Sequence, residues 1–339
     1  MLPFVNDILR YDSLSIVGLE KNTGKTECLK YVLDRLPVDR KRVAVTSIGV
    51  DGETVDQVTR TQKPEIVLRP GMYFGTSESH YRQRRLVSEL IDVSDETTSL
   101  GRVVTARTLT GGKILLSGPS SSGSMKRWMA SLRRFGIDLV VVDGALSRLS
   151  SASPAVSQSM ILATGAAYSK NLDTLVKKTV HVVRLINLPL TDDRNLRLLD
   201  PLDKGVWAVD TDGRLHELNT VTSLSQDIHF DGLEQCATLY VAGALVDGFL
   251  EKVWKNRKLR QVEIVVRDFT RIFVEPKLLN LFLQGGGRIG VLQRSTLIAV
   301  TVNPTAPGGF AFDSDRLCQT LAEAIGLPVY DLLKNPSCN

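Results

Sequence analysis

The stretch Ser13-Leu14-Ser15-Ile16-Val17-Gly18-Leu19-Glu20-Lys21-Asn22-Thr23-Gly24-Lys25-Thr26 decides how this chain is read. Residues 13–17 form a short apolar run that suits a buried strand, and residues 26–36 carry a helical pattern closed by Pro37. Gly24-Lys25-Thr26 ends the loop between them, which opens at Gly18. A turn from strand to helix is the context in which Gly-Lys-Thr predicts a phosphate-binding P-loop. Gly24 lets the backbone approach a phosphate without a Cβ. The N–H groups of residues 22–26 are expected to converge on the β-phosphate, helped by the positive end of the following helix. Lys25 then spans the β- and γ-phosphates, and the Thr26 hydroxyl ligates Mg2+. The candidate nucleotide contacts are Gly18, Lys21, Asn22, Thr23, Gly24, Lys25, Thr26 and Glu27. The usual spacing is G-x-x-x-x-G-K-[ST]. Here Leu19 occupies the first glycine position and Gly18 lies one residue earlier.

Outward from the loop, β-branched runs alternate with helical stretches. Strands are expected at residues 42–48, 113–117, 139–142, 159–163 and 180–186, with helices at 125–135 and 172–178. This alternation predicts an α/β fold with a doubly wound, mostly parallel sheet over residues 1–190. Residues 191–199 are polar and charged and read as a linker or an excursion. Beyond them, strands at 206–209, 238–241, 262–267, 271–275 and 296–302 and helices at 245–255 and 317–325 predict a smaller C-terminal α/β module over 191–339, a candidate for partner binding.

Two acidic residues fall where a phosphate-loop protein needs them. Asp143 ends the apolar run 139–142 and precedes Gly144, so its carboxylate is a candidate Mg2+ ligand, directly or through water. Asp51 follows the second strand and is read either as a Mg2+ ligand or water-orienting group, with Glu53 a weaker candidate, or as part of an ordinary Asp-Gly turn. Lys25, Asp51 and Asp143 are therefore the candidate catalytic residues, and Thr26, Asp51 and Asp143 the candidate metal ligands. The Asn-Lys-x-Asp signature of GTPases is absent, which favours ATP. Asn187 is read as an adenine contact after the expected strand 180–186, or as a turn residue before Pro189. Residues 118–124, rich in serine and glycine, are read as an anion or partner contact, or as a flexible connection. The run Gly285-Gly286-Gly287-Arg288-Ile289-Gly290 follows a helical stretch, the wrong context for a dinucleotide fingerprint.

Composition bounds the remaining choices. Hydrophobic residues make up 43% and charged residues 23% of 339 residues, ordinary for a globular chain with a sizeable core. The net charge of +5, from 42 basic and 37 acidic residues, is too small and dispersed to argue for nucleic acid. Basic clusters at residues 82–85 and 255–258 read as solvated helix faces. Cys28, Cys236, Cys318 and Cys338 have neither zinc-site nor disulfide spacing, and no apolar run reaches the ~18 residues of a membrane span. The expected location is cytoplasmic.

The spacing from Gly18 to Gly24-Lys25-Thr26 is similar to that in dethiobiotin synthetase, within a P-loop class that also holds signal-recognition GTPases, MinD-like ATPases and metallocentre-maturation proteins. The signature lysine of the MinD-type loop is absent; Glu20 stands there, with Lys21 beside it. A closer resemblance is to the ATPase-subunit family of lysine 5,6-aminomutase reactivases. It is carried by residues 18–26, 47–53, 138–148 (Asp-Leu-Val-Val-Val-Asp-Gly-Ala-Leu-Ser-Arg) and 161–169 (Ile-Leu-Ala-Thr-Gly-Ala-Ala-Tyr-Ser). That resemblance implies a chaperone-like ATPase that releases damaged cobalamin from an inactivated adenosylcobalamin-dependent aminomutase. It further implies a companion subunit and is compatible with a homodimer. A second reading is an ATP-dependent ligase or kinase of the dethiobiotin-synthetase type, with Lys21, residues 117–124 and Arg148 lining an acceptor pocket. A third is a nucleotide-binding adaptor in cofactor assembly.

Overall fold

The computed structural model describes residues 4–48, 65–145, 153, 156–218, 223, 230, 232–233 and 235–334. In chain order it opens with α1 (Phe4–Ile8), β1 (Ser13–Gly18), α2 (Lys25–Arg35), β2 (Val43–Ser47), β3 (Ile66–Leu68), β4 (Tyr73–Ser77) and α3 (Glu78–Arg82). A hairpin of β5 (Ser88–Thr98) and β6 (Gly101–Thr108) follows, then β7 (Gly112–Ile114), α4 (Ser122–Leu132), β8 (Leu139–Ala145), β9 (Ser159–Gly165) and α5 (Leu172–Ile186). Next come α6 (Asp193–Leu199), β10 (Val206–Asp210), β11 (Leu215–Glu217), β12 (Cys236–Val241), β13 (Leu245–Val246), α7 (Asp247–Lys255), β14 (Glu263–Val266), β15 (Ile272–Phe273), α8 (Pro276–Gln284) and β16 (Arg288–Val291). The chain closes with β17 (Thr296–Asn303), α9 (Ser314–Ile325) and β18 (Val329–Asp331).

The chain divides into two compact units, one of Met1–Val180 with Ser295–Asn339 and one of His181–Arg294. The first holds a nine-stranded sheet of order β18-β17-β9-β1-β8-β2-β4-β6-β5. From β18 to β4 the strands run parallel; β6 and β5 close that edge antiparallel. Every residue of β1 is buried, as expected for a parallel strand covered on both faces. Strand alternation supplies two cores. Val43, Val45, Leu139 and Val141 pack with Leu29, Val32 and Leu33 of α2, while Ala44, Val140 and Val142 pack with Met125, Trp128 and Leu132 of α4. A third cluster joins Leu175 of α5, Val302 of β17 and Leu317 and Leu321 of α9. The second unit holds the sheet β11-β10-β12-β14-β16, with β12, β14 and β16 parallel and β10 antiparallel to β12.

The α/β class agrees with the sequence reading, and four expectations need correction. Residues 180–186 are not a strand but the last turns of α5. Burial at Leu175, Thr179, Val182, Val183 and Ile186 recurs at helical spacing that the β-branched content masks. Of the expected strand 113–117 only residues 113–114 are in a strand, as part of β7, and β7 pairs with β3 outside the large sheet. Residues 191–199 are not a linker, because Asp192 caps α6 by accepting from the Asn195 N–H at 2.7 Å. Residues 295–339, assigned from sequence to the second module, return to the first sheet through β17 and β18. No helix among the described residues is long and apolar enough to cross a membrane.

Trp128 ties α4 to the sheet. It is fully buried, its Nε1 donates to Thr105 Oγ1 at 3.0 Å, and its ring lies on Gly75, where a Cβ would stand 2.2 Å from Cζ2. Gly75→Ala should therefore cost about 1–3 kcal/mol through overpacking, and Trp128→Ala about 3–5 kcal/mol through the void it leaves. Urea unfolding measures both; wild-type stability in Gly75→Ala would contradict this packing.

Candidate functional site

The candidate site lies where β1 ends. Strand β1 is paired with β8 on one edge and β9 on the other, so its last residue is fixed on both sides. The one-residue departure in glycine spacing has a structural cause. Leu19 is buried and its N–H donates to the Ala163 carbonyl at 2.9 Å, so it prolongs the pairing with β9 and does not turn. The close approach falls on Gly18, where a Cβ would stand 2.9 Å from Thr23 Oγ1. The loop closes on itself, with Thr23 buried and its hydroxyl donating to the Glu20 carbonyl at 2.8 Å. Asn22 and Gly24 adopt φ of 62° and 89°, and among the described residues Asn22 alone has positive φ without being glycine.

Gly24 is the N-cap of α2 and contributes no side-chain acceptor. The first-turn N–H groups of a helix have no partner within it, and the helix dipole adds positive potential there. Lys25 begins this turn, and its Nζ meets Asp143 Oδ1 at 2.5 Å, with a quarter or less of either side chain exposed. The register explains the meeting: Asp143 stands beside Ile16 of β1 and beside Ser47 of β2, at the carboxyl ends of all three strands. The same edge receives the serine-rich loop, because the Gly118 N–H donates to the Ser47 carbonyl at 2.8 Å. That loop is rooted on a buried network in which Ser117 Oγ lies 2.7 Å from both His80 Nδ1 and Ser77 Oγ.

Asn303, at the end of β17, is a contact that sequence reasoning missed. Its Nδ2 donates to the Asn22 carbonyl at 2.8 Å, 281 residues away in the chain. Strands β17 and β9 approach closely at this point, since a Cβ on Gly165 would stand 2.1 Å from the Asn303 carbonyl oxygen. Tyr168, just beyond Gly165, is half-buried; burial and then the charge of Glu20 push its hydroxyl above the usual tyrosine range. Behind the loop, Cys28 is fully buried, and that burial pushes its thiol up to about 12, so it stays neutral. Nothing in local sequence marks Asn303, because only the sheet order brings β17 beside β9.

The expected residues Gly18, Lys21, Asn22, Thr23, Gly24, Lys25 and Thr26 thus share one loop and first turn, with Asp143 beside them. Lys21 is exposed, and Glu27 is turned to Lys30 at 2.8 Å. Asp51 and Glu53 lie outside the described residues. Asn187 is exposed at the end of α5, its N–H donating to the Val183 carbonyl at 3.0 Å, so the strand end assumed for an adenine contact does not exist. Among the described residues, no group of three or more His, Cys, Asp or Glu could hold a metal by itself. A cavity of about 550 Å³ opens at the opposite ends of β1 and β8 among Ser13, Met129, Asp138 and Gln158, away from Lys25 and Asp143. Comparison with protein-family models, curated proteins and solved structures finds no match.

The Lys25–Asp143 pair should be measurable without any ligand. In a double-mutant cycle of urea unfolding with Lys25→Met and Asp143→Asn, we expect a coupling of about 1–2 kcal/mol, above the usual value for a fully exposed pair. Additive effects would mean that the pair contributes nothing to folding.

Proposed function

We propose that this protein binds and hydrolyses a nucleoside triphosphate, expected to be ATP, with Mg2+ at the loop of residues 18–26. The observation that carries this reading is the ion pair of Lys25 and Asp143 at the mouth of a strand–loop–helix turn. A helix start with no side-chain cap supplies N–H donors for an anion, and Lys25 supplies a charge for the β- and γ-phosphates. Thr26 and Asp143 are the residues that would hold Mg2+, with Asp51 as the second carboxylate of the proposal. Mg2+ usually takes one or two carboxylates and completes its shell with phosphate and water, so a site with few protein ligands suits it. When bound, the ion neutralises charge on the phosphates. Parallel strands with helices packed on both faces support reading the first unit as a doubly wound P-loop fold.

The physiological role rests on the sequence resemblance: an ATP-driven, chaperone-like reactivation of an adenosylcobalamin-dependent aminomutase, with a companion subunit, in the cytoplasm. One contact favours a second reading. Because residue 118 is bonded to Ser47, beside Asp143, the loop 118–124 flanks the place where an acceptor carboxylate of a ligase or kinase would lie.

ATP hydrolysis by the purified protein, alone, with an inactivated aminomutase and with small carboxylic acids, separates these readings. Stimulation by the aminomutase supports reactivation, and stimulation by an acid supports the ligase or kinase. Lys25→Ala should lower turnover by about a hundredfold or more, the loss typical of removing a group that stabilises transition-state charge. Full turnover in that variant would refute the loop assignment. Asp143→Asn should reduce Mg2+-dependent turnover more than Mg2+-free nucleotide binding; an equal loss of both would mean that Asp143 serves the fold.

A further inference from the structure

The phosphate loop is not held by its own hydrogen bonds alone. One of its peptides, between Asn22 and Thr23, follows a non-glycine residue at φ 62°, a conformation that asparagine tolerates but does not prefer. The carbonyl of that peptide accepts from Asn303 Nδ2 at 2.8 Å. Asn303 is itself fixed from three directions. Its Oδ1 accepts from the Thr305 N–H at 3.1 Å, which sets which end of the amide faces Asn22. Its backbone carbonyl accepts from the Ala166 N–H at 2.9 Å. Its Cβ lies 3.3 Å from where a Cβ on Gly24 would stand, so the side chain also borders the turn into α2.

We propose that Asn303 is a positioning residue for the phosphate loop, holding the 22–23 peptide in the orientation that binds an anion; this inference rests on the phosphate-loop reading of residues 18–26. In a trans peptide the C=O and N–H point in opposite directions. A latch on the Asn22 carbonyl therefore also sets the direction of the Thr23 N–H. Without the latch the peptide can rotate and turn a carbonyl oxygen towards the phosphate, where it would repel negative charge. The residue is supplied by β17, on the far side of β9 from β1, so the geometry of the loop depends on the closing segment of the chain.

Two variants test this. Asn303→Ala removes the amide. Asn303→Ser retains a short acceptor for the Thr305 turn but is too short to reach Asn22. Affinity is measured for ATP and GTP by displacement of a fluorescent ATP analogue, at a temperature where melting curves show every form to be folded. Both variants should weaken both nucleotides by the same factor, about five- to tenfold, as expected for loss of one neutral hydrogen bond. Unchanged affinity in the variants, with wild-type binding intact, overturns this inference and leaves the loop assignment standing. A loss confined to one base overturns it in favour of a base contact. A lowered melting temperature with unchanged affinity overturns it in favour of a purely structural role. If the wild type binds neither nucleotide, with or without Mg2+, the phosphate-loop reading and this inference fall together.

Discussion

Strand β1 is hydrogen-bonded along both edges and buried on both faces, and the site depends on that immobility. A peripheral strand would leave the first residue of the following loop free to shift, and with it the start of α2. Here the pairing even continues one residue beyond the strand, through the Leu19 N–H on Ala163. The loop turns only where the sheet releases it, and it folds back over Gly18 because no side chain stands there.

Lys25 and Asp143 show how the sheet converts this constraint into a charge pair at the loop. With a quarter or less of either side chain exposed, the pair is worth about 1–2 kcal/mol to folding, a minor share of what holds a chain of this size. Its value is geometric. The parallel register of β1, β8 and β2 brings Asp143 level with Ile16 and Ser47, and the next turn of chain after β1 delivers the ammonium. Cys28, one helical turn further into α2, has the opposite character: it is buried among apolar side chains and neutral, part of the packing that holds the helix against the sheet.

The second unit, His181–Arg294, begins within α5 and ends just before β17. The strand that resumes the large sheet is the one that delivers Asn303 to the loop. Insertions of this kind are tolerated where the ends of the inserted segment meet an intact core. Here that core is the cluster of α5, β17 and α9, which joins residues from both sides of the insertion.

The sequence by itself determined the α/β class, the strand–loop–helix turn of residues 18–26 and the acidic residue at the end of the run 139–142, whereas the pairing of that residue with Lys25 came from the structure. These features depend on near neighbours: apolar runs of strand length, a glycine before a helix, an acidic residue directly after a buried strand. Polar strands such as β5 carry no such run and were not legible, because their partners, and not their own periodicity, make them strands. The run 180–186 was ambiguous for a related reason, since Val-rich segments fit a buried helix face as well as a strand. Only the tertiary structure decided the return of residues 295–339 to the first sheet, the role of Gly18 in place of a glycine at 19, and the contact of Asn303 with Asn22. Each depends on strand order, which is set by the packing of whole faces across hundreds of residues, and no local pattern of residue types encodes it.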